Sequence, residues 1–433
     1  MKILIVSYFF PPFNQVGAVR VGKYAKYLTR MGHDVHILAC EDLPLPDTLQ
    51  VEIDASQITR TRWFDVNWPV RMLMGNQRVQ TKGYEVSGAG NRWLTLAKRL
   101  YQYLFHFPDA QIGWYPHAKK AGADICQQWK PDVIYASALP VTSMLIAGAL
   151  SRKYNIPWVA EFRDLWADNH NRRLPVWRRW IEHRLERRLI HSASGLVTVS
   201  EPLAETLRSK YMDKQVLMLP NGFDPEDYDK PLQDSDGIFS SESLNLLYTG
   251  MIYKEKYDLH RFFHAMALTD GDTDVHAHFF GRYIGSAAEE AERSGVNSKV
   301  YCHEPVGYER SVSLQRSSDI LLMFLWNDPG QKGVYTGKLF EYLAARRPIL
   351  AIGGKDSLPA RLILERQAGF VSEDPAEIAD WLRQQWAVKK RDGVIPPLDD
   401  SAAQGFSRAE QAKTLAGFIQ SSVRVGNSDS DGG

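Results

Sequence analysis

At 433 residues the chain exceeds what one hydrophobic core organises, so two domains are expected. Its 44% hydrophobic and 24% charged residues describe a soluble globular protein, and a formal charge of +1 excludes a general electrostatic attraction for nucleic acid. Cys40, Cys126 and Cys302 lie too far apart to build a disulfide framework or a zinc cluster, which suits a reducing cytoplasm.

The opening run Ile3–Ser7 reads as a buried strand rather than a secretory signal, because Pro11-Pro12 halts it without a small-residue cleavage site. Nowhere do about eighteen apolar residues run together, so no membrane span is expected. A helix follows the strand: Val21, Tyr24, Ala25 and Leu28 form an apolar stripe, Lys23, Lys26 and Arg30 point elsewhere, and Gly32 closes it. Val35–Ala39, Asp132–Tyr135, Trp158–Phe162, Gly195–Val199 and Val216–Leu219 are further short apolar runs separated by helical patterns. Strands covered on both faces by helices give this alternation.

Pro220-Asn221-Gly222-Phe223-Asp224 looks like a connector between domains. Beyond it a second series begins: Leu244–Tyr248, Val275–Phe280, Val300–Cys302, Ile320–Phe324, Ile349–Ile352 and Gly369–Ser372. Two doubly wound α/β units in tandem follow, residues 1–220 and 221–404, and such sheets bind ligands beyond the carboxyl ends of their strands, here in a cleft between the units. Ser407-Arg408-Ala409-Glu410 fits a capping box opening a last amphipathic helix, about 405–422, expected to pack back on the first unit. The Gly/Ser/Asp-rich end from about Val425 is expected to be disordered.

Chemistry-bearing stretches fall at the predicted strand ends. Gly17 stands at the first strand-to-helix turn, where backbone amides can approach an anion, and Arg20 sits within the first helical turn. Glu161, Arg163 and Asp164, followed by Trp166, close an apolar strand, where they line a ligand site or pair with one another. In the second series Thr249-Gly250 is followed by Lys254 and Lys256, and Phe280-Gly281 by Arg282. The most informative run is Tyr335-Thr336-Gly337-Lys338-Leu339-Phe340-Glu341. Thr336 can cap a helix whose free N–H groups meet an anion, while Lys338 and Glu341, three apart, project from one side. A cation for phosphate and an acceptor for sugar hydroxyls suit a nucleotide-sugar pocket; an ordinary capped core helix with a surface ion pair is the alternative.

The order of these motifs resembles the retaining family-four glycosyltransferases of the GT-B fold. It does so through Gly32-His33-Asp34-Val35, Glu161-Phe162-Arg163-Asp164-Leu165-Trp166, Pro220-Asn221-Gly222 and Lys338-Leu339-Phe340-Glu341-Tyr342-Leu343. The resemblance implies that Gly17 borders the catalytic centre and that Glu341 binds ribose hydroxyls. It implies that Lys338 with Lys254 or Lys256 holds the diphosphate, and that Asp164 or Arg163 stands near the reacting sugar. Tyr335, Thr336, Gly337, Gly250 and Arg282 complete the expected donor side, and Arg20, Glu161 and Trp166 the acceptor side. Two departures concern the donor sugar and phosphate: Gly333 replaces the first glutamate of the family's pair, and Gly250-Met251 lacks its arginine.

Transfer by this chemistry needs no metal or other cofactor, because lysines and helix N-termini stabilise the leaving diphosphate. The acceptor would be a glycan, a lipid-linked sugar or a small molecule, in bacterial surface-polysaccharide synthesis. The segment 172–188 combines Arg172, Arg173, Arg178, Arg179, Arg184, Arg187 and Arg188 with Trp177 and Trp180, as helices at anionic membranes do and as helices with one solvated face also do. A cytoplasmic protein, peripheral on the inner face of the plasma membrane, is the expectation. The competing readings are a nucleotide-sugar epimerase or sugar phosphorylase, and a non-catalytic nucleotide-sugar-binding protein of the same fold.

Overall fold

The computed structural model describes residues 1–68, 100–169, 172, 174–232, 237–252, 256–269, 271–326 and 335–428. The chain forms two compact units, Met1–Pro220 joined by the segment from Gln411 onward, and Asn221–Glu410.

In the first unit β1 (Lys2–Val6), α1 (Val16–Arg30), β2 (Asp34–Cys40), β3 (Ile58–Thr61), α2 (Tyr115–Gln128), β4 (Val133–Ala138) and α3 (Thr142–Tyr154) come first. Then follow β5 (Trp158–Phe162), α4 (Val176–His191), β6 (Gly195–Thr198), α5 (Glu201–Lys210) and β7 (Val216–Met218). The strands make one sheet in the order β3-β2-β1-β4-β5-β6-β7, and every pairing is parallel. All residues of β4 and β5 are buried, as expected of strands covered on both faces. The strand β3 has no apolar run to announce it: Ile-Thr-Arg-Thr is half-buried throughout and pairs only along the sheet edge with β2.

The predicted stripe of α1 is buried, but Lys26 is not on the outer side as expected. It is 2% exposed, with its ammonium 2.6 Å from Glu52.

The second unit opens with α6 (Pro225–Asp229), β8 (Leu244–Thr249), α7 (Leu259–Leu268), β9 (Val275–Phe280), α8 (Gly285–Arg293), β10 (Val300–His303) and α9 (Tyr308–Ser317). It continues through β11 (Ile320–Phe324), α10 (Gly337–Ala345), β12 (Ile349–Ile352), α11 (Leu358–Glu365), β13 (Gly369–Ser372) and α12 (Pro375–Asp392). Its sheet runs β10-β9-β8-β11-β12-β13, again parallel. In each sheet the strand order reverses once, between β1 and β4 and between β8 and β11, and ligands of such folds sit beyond the strand ends at that point.

The last helix, α13 (Arg408–Ser428), starts with the Ser407 hydroxyl accepting from the Glu410 N–H at 3.2 Å and donating to the Glu410 carboxylate at 2.7 Å. It packs so closely on β6 that a methyl group at Gly195 would lie 2.8 Å from the Phe418 ring. The helix continues through Val425 to Ser428 where disorder was expected, because extending an anchored helix fixes few further dihedrals per hydrogen bond gained. Residues 429–433 lie outside the described residues. Among the described residues no helix is long and apolar enough to cross a membrane.

Candidate functional site

In the second unit the ends of β8 and β9 turn on glycines whose backbones touch. Gly250 has φ +125° and Gly281 φ +155°, and a Cβ on Gly281 would lie 2.0 Å from the Gly250 carbonyl oxygen. Only glycine allows both the positive φ and the approach. The Gly250 N–H donates to the Phe280 carbonyl at 2.7 Å, which ties the two turns together.

Onto this double turn α10 directs its first residues. The Lys338 ammonium lies 3.9 Å from the centre of the Tyr248 ring, and a Cβ on Gly250 would come within 2.7 Å of its Nζ. Tyr248 thus supplies a cation–π seat, and the missing side chain of Gly250 leaves room for the lysine. Burial pushes the ammonium down to about pKa 7, with Glu341 opposing the shift. Burial also raises the Glu341 carboxyl, against the attraction of Lys338 and a hydrogen bond from Gln315. Both side chains remain partly exposed. A cation and a carboxylate whose charges burial opposes, one helical turn apart, are placed to gain from a ligand that completes their solvation.

Thr336 occupies the N-cap position of α10, but its side chain makes no capping bond there, contrary to expectation. Gly337 is exposed at the helix mouth, so the first N–H groups of the helix are not covered by the threonine hydroxyl. Tyr335 packs edge-on against Phe340 at 5.5 Å, which fixes the entry to the helix. Lys256 stands 4.4 Å over the Trp326 ring, just beyond β11, and Arg282 is exposed just beyond β9. Lys254 and Gly333 lie outside the described residues.

Sequence reasoning missed the supports of this site. Gln315 on α9 is fully buried and donates to the Thr249 hydroxyl at 3.2 Å as well as reaching Glu341. The Tyr228 hydroxyl donates to the Glu341 carbonyl at 3.1 Å, and the Tyr342 hydroxyl accepts from the Thr249 N–H at 3.2 Å. These residues come from four separate elements, and no local pattern marks them.

In the first unit the candidate residues part company. Arg20 and Glu161, expected on the acceptor side, are fully buried and paired with each other at 2.7 Å. Arg20 also donates to the carbonyls of Leu219 and Pro220, both at 2.7 Å, and Glu161 accepts from Ser137 at 2.5 Å. Burial opposes both charges, yet the pair wins: the guanidinium pKa is raised by Glu161 and the carboxyl is held below its usual range by Arg20. The network clamps the end of the unit to its sheet and leaves neither group for a ligand. Trp166 is likewise a core residue, 1% exposed, donating to Glu182 at 3.0 Å.

Gly17 and Arg163 do come together. A Cβ on Gly17 would lie 2.2 Å from an Arg163 guanidinium nitrogen, so this glycine makes room for that cation at the N-terminus of α1. The Arg163 Nε donates to the Ala138 carbonyl at 2.8 Å, and a second nitrogen to Leu139. Burial lowers the Arg163 pKa, while Glu161 and Asp164 support its charge. A guanidinium beside a helix N-terminus, at the sheet's reversal point, is a setting for an anion.

Two parallel sheets of Rossmann type in tandem are the architecture of the GT-B fold. Residues 17–222 match the family model described as "Glycosyl transferase 4-like domain", and this match marks the chain as a glycosyltransferase. No curated protein matches the sequence. Among solved structures, a glycosyltransferase from Rickettsia africae is similar with a TM-score of 0.62 at 13% identity, covering 98% of both chains. The sucrose-phosphate synthase of Thermosynechococcus elongatus gives 0.59 at 12% identity over 97% of this chain and 98% of that one. Anabaena HepE, solved in complex with UDP and glucose, gives 0.57 at 13% over 97% and 100%. At these identities the likeness is one of fold.

Proposed function

We propose that the chain is a retaining glycosyltransferase acting in bacterial surface-polysaccharide synthesis. It carries a sugar from a nucleotide-sugar donor on its second unit to a glycan, lipid-linked or small-molecule acceptor on its first. The observation that carries this is the Lys338 ammonium, seated on Tyr248 in the space left by Gly250, with Glu341 one turn further along the same helix. Lys338, Lys256 and the mouth of α10 receive the diphosphate; Glu341, steadied by Gln315, accepts from ribose hydroxyls. Arg163 and Asp164, at the end of β5, serve the reacting sugar. The bound complex of HepE with UDP and glucose supports a donor of this kind.

As the anomeric bond breaks, positive charge grows on the sugar and negative charge on the departing diphosphate. The lysines and helix dipole stabilise that leaving group without a metal. A leaving-phosphate oxygen takes the acceptor's proton, and the new bond forms on the face the diphosphate vacates, so configuration is retained. The placement is cytoplasmic, peripheral on the inner face of the plasma membrane.

A thermal-shift panel of UDP-, GDP- and dTDP-sugars identifies the donor by the largest stabilisation. Transfer to lipid-linked sugars is then followed by NMR of the anomeric proton, with and without EDTA. The expected result is acceptor-dependent transfer with retained configuration that EDTA does not abolish. Turnover of the donor alone to its epimer, or binding without transfer to any acceptor, would overturn the proposal.

A further inference from the structure

The helix α4 is turned inside out for a soluble protein. Its charged residues Arg178, Glu182 and Glu186 face inward, each at most 2% exposed. Glu182 takes Arg178 at 2.9 Å and Arg172 at 2.6 Å, so Arg178 belongs to the interior and Arg172, a quarter exposed, has its charge matched by an acid. Glu186 is matched by Lys210 at 2.7 Å. With its acids buried and neutralised, the exposed charged residues of the helix are Arg179, Arg184, Arg187 and Arg188, all cationic.

The outer face carries what a soluble helix buries. Trp177 is 48% exposed, Trp180 56% and Ile181 38%. They stand at helical spacing with Arg184 and Arg188, so one stripe runs from apolar to basic along the helix. The Arg184 guanidinium lies 4.0 Å over the Trp180 ring, joining the two halves of the stripe. Helical turns over residues 100–105 adjoin the helix and leave Leu100, Leu104 and Phe105 each more than half exposed. Arg178 holds these turns against α4, donating to the carbonyls of Gln102 at 3.0 Å and Tyr103 at 2.8 Å.

We propose that this composite face, the outer side of α4 with the adjoining turns at 100–105, docks on an anionic lipid leaflet. The apolar end enters the headgroup boundary and the arginines meet acidic headgroups. Trp at the rim and Arg stacked on it fit the interface between water and acyl chains, and no acid of the helix itself is exposed to oppose them. The inference deepens the proposed placement at the inner leaflet and rests on that reading; its test uses neither donor nor acceptor.

Full-length protein is sedimented with vesicles of phosphatidylglycerol in phosphatidylcholine and with vesicles of phosphatidylcholine alone. Binding is expected only to the anionic vesicles, weakening as salt rises. Trp177→Ser with Trp180→Ser is expected to weaken it by at least about tenfold. Arg184→Glu, Arg187→Glu and Arg188→Glu are expected to weaken it by about fivefold per charge removed. These side chains are exposed, so circular dichroism and the donor-induced thermal shift are expected to stay unchanged in all variants. Failure of the wild type to sediment with anionic vesicles, or equal sedimentation of the variants, would overturn the proposal. So would a dimer in sedimentation velocity that the tryptophan variant abolishes without any vesicle effect, since a second copy would then be the occupant. A positive donor shift alongside failed vesicle binding would leave the donor site intact and remove only the docking surface.

Discussion

Donor affinity should fall as pH rises through neutrality, because the cation that receives the diphosphate is held near its ionisation point before the donor arrives. Burial brings Lys338 down to about pKa 7. Above that value the free protein holds mostly the neutral amine, and binding an anion requires recapture of a proton. Each pH unit then weakens apparent binding about tenfold, or ~1.4 kcal/mol, until the pKa of the bound state is passed. From pH 7, where half of the lysine is charged, to pH 9 the expected loss is about 50-fold. On the acid side the sign reverses: burial raises the Glu341 carboxyl, and a protonated carboxyl accepts ribose hydroxyls poorly, so affinity also falls as pH drops through its pKa. The same lysine should leave a mark on stability. Its folded pKa lies below its unfolded value of about 10.4, so the unfolded chain binds the extra proton and stability rises with pH between the two. Isothermal titration with a nucleotide-sugar in buffers of different ionisation enthalpy measures the proton uptake directly. About one proton per donor is expected at pH ~8 in the wild type and none in Lys338→Arg, whose guanidinium stays charged. A flat affinity between neutral and alkaline pH, with no proton uptake, would refute the reasoning.

Removing one member of the buried pair at Arg20 should damage the fold rather than the chemistry: Arg20→Met strands the Glu161 carboxylate and is expected to lower the urea unfolding free energy by about 3–5 kcal/mol. The double change Arg20→Met with Glu161→Leu should recover most of that loss; equal instability of both variants would mean the loss comes from elsewhere. Gly250→Ala forces a side chain into a positive-φ position and into Lys338, so a stability loss of about 1–3 kcal/mol is expected together with weakened donor binding. Unchanged donor titration in a folded Gly250→Ala variant would place the donor away from this turn.

Much of the fold was legible in the sequence because parallel strands buried on both faces must be continuously apolar, and helices between them must show a stripe. Ile3–Ser7, Trp158–Phe162 and Ile320–Phe324 declare themselves in this way, and β3 escapes because an edge strand is free of that demand. The glycines at 17, 250 and 281 and the Lys338–Glu341 spacing were equally readable, since strand-end turns and helix mouths are local events. Local chemistry could not say which charges meet. Arg20, Glu161 and Arg163 occupy alike positions at strand and helix ends, yet packing assigns the first two to each other and the third to the edge of Gly17. The arginines of the segment 172–188 were likewise one class in sequence, until Glu182 drew Arg178 inward, paired with Arg172 and left the tryptophans outside. The sequence by itself determined the elements, their alternation and the strand-end motifs, because those follow from periodicity and backbone freedom. Only the tertiary structure decided which polar groups are consumed in the interior and which face solvent, because a charge is satisfied by partners distant in the chain and its fate depends on who arrives beside it.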